Sequence, residues 1–247
     1  MSSGDPILEL RDVVAGYGRM TILHGTALSV RPGTITTVIG PNGAGKSTVF
    51  KTVFGLLPVR SGRILFAGQD ITGWGPRKLL RAGICYVPQG RNIFPELSVR
   101  HNLEIGAASL PDQGRVAGRV AEALERFPAL RGRGEAQAST LSGGQQKLLE
   151  IARGLLIEPR LMLIDEPSIG LSPLMVQDVF AILKDLRARG VTVLMVEQNA
   201  RSALQASDDG IVLELGRTRL QGSAEAILND PRIGQLFLGG SIATDAA

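Results

Sequence analysis

The 247-residue sequence contains a single cysteine, Cys85, and therefore cannot form a disulfide within the chain. This fits a reducing compartment, and the apolar neighbours of Cys85 predict a buried side chain rather than a reactive thiol. No stretch approaches the roughly 18 to 20 consecutive apolar residues of a transmembrane helix. Residues 1–6 have neither a basic flank nor an apolar core, so we expect no secretory signal.

A strong excess of one charge is also lacking, because 27 basic and 23 acidic residues leave a net charge of +4. Nucleic-acid-binding domains usually cluster a larger positive charge, so we expect no nucleic acid partner. The densest basic segment, residues 115–133, is interrupted by Glu122 and Glu125. We interpret it as a solvated helix face, with a contact surface for a protein partner as the alternative.

Apolar residues follow two patterns that indicate an α/β fold. Residues 161–164 and 191–196 are continuous apolar runs, which are typical of parallel strands covered on both faces. The helical pattern from Val176 to Arg189 lies between them, so this region predicts a right-handed β-α-β unit. Alternating apolar and polar residues predict strands at 7–13 and 27–30. Apolar residues at helical spacing predict helices at 99–130 and 144–157, and a last strand is predicted at 211–215.

A glycine-rich segment separates a predicted strand at 35–39 from a predicted helix that follows it. This order is the context that a G-x-x-x-x-G-K-[ST] phosphate-binding loop needs. Glycine lets backbone amides approach an anion closely, and the positive end of the helix dipole favours phosphate. The predicted nucleotide-binding residues are Gly40, Pro41, Asn42, Gly43, Ala44, Gly45, Lys46, Ser47 and Thr48. An ordinary glycine-rich turn is the alternative.

Four side chains have the chemistry for nucleotide hydrolysis. Lys46 is predicted to reach the β- and γ-phosphates, and the Ser47 hydroxyl to take one Mg²⁺ position. Asp165, at the end of the apolar run 161–164, is predicted to hold Mg²⁺ directly or through water. Glu166 is predicted to orient and deprotonate the water that attacks the γ-phosphate. The alternative is a strand that ends in surface acids.

A second glycine-containing segment precedes the helical pattern at 144–157. Its residues are Ser142, Gly143, Gly144 and Gln145, after Leu141. A serine and two glycines before a helix make an anion-binding nest of amides. One γ-phosphate does not need two such nests from one chain, so we predict that this one serves the nucleotide of a second subunit.

Residues 40–47, 141–145 and 161–166 together resemble the Walker A, signature and Walker B motifs of an ABC transporter ATPase subunit. The resemblance implies a P-loop NTPase (RecA-like) core with an antiparallel β subdomain and a small helical subdomain. It implies a single domain over 1–247, with the core and antiparallel lobes at about 1–90 and 158–240 and the helical subdomain at about 91–157. Residues 241–247 are expected to form a flexible tail.

The same resemblance assigns further residues to the site. It implies that Tyr17 stacks on adenine and that Gln89 contacts Mg²⁺ or the attacking water, whereas an exposed turn aromatic and a solvent-facing loop glutamine are the alternatives. Residues 168–172 fall where the family has its dimer-contact loop, which commonly ends in aspartate and here ends in Ser172. Gln198 occupies the switch position, usually histidine, where it can bind a γ-phosphate but cannot become cationic.

Within the family, residues 86–95, 170–173, 196–200 and 237–240 look most like the ATPase of a bacterial branched-chain amino acid importer. The ATPases of urea and short-amide importers share much of this pattern. The resemblance implies ATP and Mg²⁺, transmembrane permease subunits, a second ATPase subunit (identical or a sister chain), and indirectly a periplasmic solute-binding protein. It implies a peripheral location at the cytoplasmic face of the inner membrane.

Non-transport ABC ATPases that act on nucleic acid or ribosomes fit the sequence less well. A mechanical or DNA-repair ATPase carries a long coiled coil before the signature, but the interval 47–141 has room only for a small helical lobe. A translation-associated protein usually holds two cassettes, whereas this chain has one phosphate loop. An inactive regulatory subunit is disfavoured because Lys46, Asp165 and Glu166 are all present.

Overall fold

The computed structural model describes residues 5–108 and 113–237, and the predicted tail at 241–247 lies outside them. The described strands are β1 (Leu8–Tyr17), β2 (Met20–Val30), β3 (Ile35–Ile39), β4 (Val59–Phe66), β5 (Gln69–Asp70), β6 (Ile84–Val87), β7 (Leu161–Asp165), β8 (Thr192–Val196), β9 (Asp209–Glu214) and β10 (Arg217–Ser223). The described helices are α1 (Lys46–Val53), α2 (Pro76–Ala82), α3 (Val99–Ala107), α4 (Val116–Arg126), α5 (Gly143–Leu155), α6 (Pro173–Ala188), α7 (Ala200–Gln205), α8 (Ala224–Leu228) and α9 (Pro231–Phe237).

The strands form two sheets. One is antiparallel, in the order β2-β1-β4-β5. The other has the order β10-β9-β3-β8-β7-β6; its strands from β9 to β6 are parallel, and β10 pairs antiparallel with β9 at the edge. The α/β fold predicted from the continuous apolar runs is confirmed, since every residue of β3, β7 and β8 is buried.

Side chains that alternate along the central strands join two separate cores. On β7, Leu161 and Leu163 pack into the core that also contains Phe50 of α1 and the antiparallel sheet. Met162 and Ile164 point to the opposite face, into the core shared with α3, α4, α5 and α6. The protein is therefore layered, with the parallel sheet between the antiparallel sheet and the helices, which explains why its strands are apolar on both faces.

The carboxyl ends of four parallel strands meet at one edge of the six-stranded sheet. Strand β8 lies between β3 and β7, and β6 lies beyond β7. The segments that follow these strands carry the phosphate loop, Gln89, Glu166 and Gln198. Ligands of open α/β sheets bind outside this edge, so the topology gathers the predicted site residues there.

One predicted helix boundary was wrong, and capping explains why. The helix expected from Val176 begins at Pro173, because the Ser172 hydroxyl accepts a hydrogen bond from the Met175 amide at 3.4 Å and proline is favoured in the first turn. The helix expected from about Gly144 to Ile157 is confirmed and spans Gly143–Leu155.

The predicted last strand at 211–215 was also incomplete. It belongs to β9, and the edge strand β10 follows after a short turn. The sequence did not reveal β10 because its burial alternates only weakly, as one face of an edge strand is open. Within the described ranges, no helix combines the length and the apolar character that a membrane crossing requires.

Candidate active site

The glycine-rich loop between β3 and α1 depends on glycine at two positions. Gly45 precedes α1 with φ of +100°, and a Cβ there would lie 3.1 Å from Leu23 Cδ2. At Gly40, with φ of +155°, a Cβ would lie 2.0 Å from the carbonyl oxygen of Leu213. A side chain at either position would crowd a neighbouring residue in a backbone conformation that favours glycine, so the shape of this loop depends on glycine at both.

Lys46 lies inside the loop rather than in solvent. Its Nζ donates hydrogen bonds to the carbonyl oxygens of Gly40 at 2.8 Å and Pro41 at 3.0 Å. Burial lowers the pKa of Lys46, while the charges of Glu166 and Asp165 raise it. The loop thus holds the partly desolvated ammonium group of Lys46 near the carboxylates of Asp165 and Glu166.

A cleft of about 250 Å³ opens at the loop. Its lining comes from residues 42–48, including Thr48, and from Ile22 and Glu166. A larger cleft of about 820 Å³ lies between α4 and α6, far along the chain from the phosphate loop, and its lining includes the ion pair between Arg126 and Asp185. Since the smaller cleft joins the phosphate loop to Glu166, we take it as the candidate site.

Two oxygen donors for a hard metal ion converge beside the loop. The Ser47 hydroxyl donates to Asp165 Oδ1 at 3.2 Å, and the Tyr86 hydroxyl donates to Asp165 Oδ2 at 3.2 Å. Burial raises the pKa of Asp165, and these two hydrogen bonds act in the opposite direction. A hydroxyl with a carboxylate suits Mg²⁺, which commonly uses one or two protein carboxylates and completes its shell with phosphate and water. Within the described part of the chain, no group of three or more His, Cys, Asp or Glu side chains is placed so that it could hold a metal ion.

Glu166 follows β7 in a strained backbone conformation and is held by two neutral amides. Its φ is +51°, in the left-handed region that costs a residue other than glycine about 1–2 kcal/mol. Gln89 Nε2 donates to Oε2 at 2.7 Å. Gln198 Nε2 donates to Oε1 at 2.9 Å and to Oε2 at 3.0 Å. The carboxylate is therefore fixed from both sides at the mouth of the cleft.

Tyr17 ends β1 and presents its ring beside α1. The side chain is exposed, and Lys51 Nζ donates to the Tyr17 hydroxyl at 3.3 Å. The same Nζ lies 5.6 Å from the ring centroid. The ring thus keeps an open face for stacking on a flat partner.

The segment Ser142–Gln145 forms the beginning of α5, in the helical lobe. Ser142 Oγ accepts from the Gln145 amide at 3.4 Å, and Gln145 Oε1 accepts from the Ser142 amide at 3.0 Å, which together make a capping box. Ser142 and Gly143 are exposed, whereas Gly144 is buried against Met175, where a Cβ would lie 2.2 Å from Met175 Cε. None of these residues lines the cleft at the phosphate loop.

Sequence reasoning missed two residues of this edge. Tyr86 contacts Asp165, although it was noted only as part of a resembling string. Glu197 is buried directly after β8 and contacts both Ser168 and Gln198. The sequence did carry a signal for Glu197, since it is a carboxylate at the end of a continuous apolar strand, as Asp165 is.

Comparison with known proteins identifies the family of this chain. The family model described as ABC transporter matches residues 23–169. The high-affinity branched-chain amino acid transport ATP-binding protein BraG of Pseudomonas aeruginosa is 40% identical over 95% of this chain and 100% of its own length. The probable branched-chain amino acid transport ATP-binding protein LivF of Archaeoglobus fulgidus is 38% identical over 91% and 95%.

More distant relatives agree on the family. The lipopolysaccharide export system ATP-binding protein LptB of Escherichia coli is 32% identical over 94% of this chain and 97% of its own length. A crystal structure of a nucleotide-free ATP-binding cassette from an ABC transporter superposes with a TM-score of 0.85 at 30% identity, covering 94% of this chain and 99% of the other. The chain therefore belongs to the ATP-binding proteins of ABC transporters.

Proposed function

We propose that this chain hydrolyses ATP to drive an importer of branched-chain amino acids. The observation that carries the hydrolytic part is the Glu166 carboxylate, which two side-chain amides hold beside the phosphate loop. The solute is supported by the names of BraG and LivF, since no residue of an ATPase subunit contacts a transported solute. A urea or short-amide importer is the alternative within the same class.

Binding of the substrate ATP is assigned to the phosphate loop. The backbone N–H groups of this segment, which Pro41 lacks, would surround the phosphates. Lys46, now hydrogen-bonded to carbonyl oxygens of its own loop, would turn to them. Ser47 and Asp165 would hold Mg²⁺, with Gln89 near them. When bound, the metal supplies positive charge that offsets the negative charge of the β- and γ-phosphates. Tyr17 would stack on the adenine ring.

Hydrolysis is assigned to Glu166 as general base. A water molecule attacks the γ-phosphorus, Glu166 takes its proton, and the bond to the β,γ-bridging oxygen breaks, giving ADP and inorganic phosphate. Gln89 and Gln198 orient the Glu166 carboxylate through their amides. Since both are neutral, they fix its direction without adding a second ionisable group.

A second ATPase subunit, identical or a sister chain, would complete each site. Ser142–Gln145 lie at the start of α5, where Ser142 and Gly143 are exposed, and outside the cleft of their own chain. They would bind the nucleotide of the facing subunit. Each γ-phosphate would then lie between two amide nests, one from each subunit. Closure on ATP and reopening after hydrolysis would then move attached permeases.

The proposed assembly has three further features. The ATPase pair would sit peripherally at the cytoplasmic face of a bacterial inner membrane, bound to transmembrane permeases that receive the solute from a periplasmic binding protein. The chain would act as one domain, with residues 91–157 as a helical subdomain around α3, α4 and α5. No nucleic acid takes part.

Turnover of the purified protein tests the hydrolytic assignment. Glu166→Gln should bind ATP and accumulate as a closed dimer, while phosphate release falls by about a hundredfold or more. Glu135→Gln, at an exposed carboxylate paired with Arg100, is the matched control and should keep wild-type turnover. Normal turnover in Glu166→Gln would remove Glu166 from its role.

The solute is tested with the complete transporter. Reconstituted vesicles should contain this chain, its permease subunits, the second ATPase subunit and the solute-binding protein. Leucine, isoleucine or valine should raise ATP turnover and accumulate inside, whereas urea and short amides should not. Stimulation by urea alone would replace the proposed solute but would leave the ATPase assignment intact.

A further inference from the structure

Glu197 is a buried carboxylate that the proposed hydrolysis does not use. It follows β8, only 2% of its surface is exposed, and its amide donates to the carbonyl oxygen of Val38 on β3 at 3.4 Å. Its carboxylate accepts three hydrogen bonds, from the Ser168 amide at 2.8 Å, from Ser168 Oγ at 2.7 Å and from the Gln198 amide at 3.3 Å. Burial raises the pKa of Glu197, while these donors act in the opposite direction. A desolvated carboxylate needs such donors, so this arrangement is costly to build.

The contact of Glu197 with Ser168 leads to the backbone of Glu166. Ser168 lies two residues after Glu166, in the turn that follows the left-handed residue Glu166. The Ile169 amide closes this turn on the carbonyl oxygen of Glu166 at 3.3 Å. Because Glu197 binds both the amide and the hydroxyl of Ser168, it holds the turn from the neighbouring strand.

The contact of Glu197 with the Gln198 amide leads to the side chain of Glu166. Glu197 accepts from the backbone amide of Gln198, and the side chain of Gln198 donates to both oxygens of the Glu166 carboxylate. The backbone and the carboxylate of Glu166 are therefore fixed by two arms that start at one group. A carboxylate that served only to pair a buried donor would not need to join these two segments.

We propose that Glu197 is a positioning residue that aligns Glu166 for attack and links loop 168–172 to Gln198. The proposal rests on the proposed function, in which Glu166 is the general base and a second subunit completes the site, and on the resemblance that makes 168–172 the dimer-contact loop. Arrival of that subunit at the loop would then be transmitted through Ser168 and Glu197 to the residues around the γ-phosphate. Misplacing a reacting group by about 1 Å can cost about a hundredfold in rate, so a small displacement suffices.

Steady-state and binding measurements on Glu197→Gln test this role. The replacement is nearly isosteric, but its NH₂ group is only a donor, so the single remaining oxygen cannot accept all three hydrogen bonds that Ser168 and Gln198 donate to the carboxylate. We expect kcat to fall between about tenfold and a hundredfold, with the Kd for ATP within about twofold of wild type. Asp208→Asn is the control, because Asp208 also accepts from a backbone amide, that of Ile35, but lies at the opposite edge of the sheet. Its kcat should stay within about twofold of wild type.

A double-mutant cycle with Ser168→Ala separates positioning from folding. Ser168→Ala removes only the hydroxyl arm and should lower kcat by severalfold, and the double variant should fall no further than Glu197→Gln alone. Additive losses, unchanged kcat in Glu197→Gln, or parallel losses of kcat, ATP binding and the unfolding midpoint would each overturn the proposal. If Glu197→Gln does not fold, kcat in Ser168→Ala decides alone, because an unchanged value rejects the link.

The two levels of the proposal fail differently. Absence of ATP turnover in the wild type, or normal turnover in Glu166→Gln, rejects the proposed function. Loss of turnover in Glu166→Gln together with normal kcat in Glu197→Gln rejects the positioning role alone.

Discussion

Gln198 lies directly against Glu166, with its Nε2 2.9 Å from Oε1 and 3.0 Å from Oε2 of the carboxylate. The family resemblance leads one to expect histidine at this position, and a protonated imidazole would form a charge-assisted bond to the carboxylate. A glutamine amide donates the same hydrogen bond without titrating. The orientation of Glu166 is therefore independent of any imidazole at this position.

The pH dependence of turnover should reflect this neutral contact. We predict that wild-type kcat shows no ionisation near pH ~6.5, the usual pKa region of histidine, and that Gln198→His introduces one. Phosphate release measured across a pH series on both proteins checks this. Gln198→Ala serves as the control, and it should lose rate at all pH values without a new limb. A wild-type limb near pH ~6.5 that persists in Gln198→Ala would contradict the expectation.

Gly216, in the turn between β9 and β10, should be intolerant of any side chain. Its φ is +69°, and a Cβ would lie 1.8 Å from the carbonyl oxygen of Ile22, while its amide donates to the Ala44 carbonyl of the phosphate loop at 2.9 Å. Gly216→Ala should lower the free energy of unfolding by about 3 kcal/mol or more and weaken ATP binding. Gly18→Ala is the matched control, since Gly18 has φ of +52° but open space around its Cβ position, and should cost about 1 kcal/mol. Equal losses in urea unfolding would argue against the steric explanation.

A buried ion pair on α5 should stabilise the segment that follows Gln89. Lys147 Nζ lies 2.6 Å from Glu150 Oε2 and donates to the Gly90 carbonyl at 3.1 Å, and Glu150 Oε1 accepts from the Asn92 amide at 2.5 Å. Removing one partner leaves the other charge buried and unpaired. We therefore expect Lys147→Met or Glu150→Leu alone to destabilise the protein by about 3–5 kcal/mol.

The double variant and an exposed pair complete that comparison. Lys147→Met combined with Glu150→Leu should be less damaging than the sum of the single changes, because no buried charge remains. Disrupting the exposed pair Arg100–Glu135 should cost no more than about 1 kcal/mol. Chemical denaturation of all variants measures the free energy of unfolding. If the losses of the two single variants simply add in the double variant, Lys147 and Glu150 do not act as a buried pair.

Cys85 should be unreactive in the folded protein. Burial raises the pKa of its thiol to about 12, so the nucleophilic thiolate is scarce at neutral pH. Because the folded pKa exceeds the unfolded value, the folded state keeps its proton where the unfolded state loses it, and this contribution to stability falls as the pH rises from the unfolded pKa towards 12. Labelling with a thiol reagent should be slow in native buffer and complete after denaturation. Rapid native labelling at pH 7 to 8 would show that the site opens.

The sequence by itself determined the features that depend on local patterns. The loop 40–47 is recognisable because a strand, glycines at fixed offsets and Lys-Ser at a helix start have few other uses. The buried strands β7 and β8 are recognisable because both faces of a central parallel strand must be apolar. The edge strand β10 and the start of α6 were not, since partial burial and a serine cap leave weak signals.

Only the tertiary structure decided which polar groups share the site. Gln89 and Glu166 are 77 positions apart, and Gln198 is 32 positions beyond Glu166, yet all three meet because β6, β7 and β8 are neighbours whose carboxyl ends lie at one edge. Strand order depends on which apolar faces pack together across the whole chain, and local periodicity does not specify it. For the same reason, the double contact of Glu197 with Ser168 and Gln198 became visible only in the folded protein.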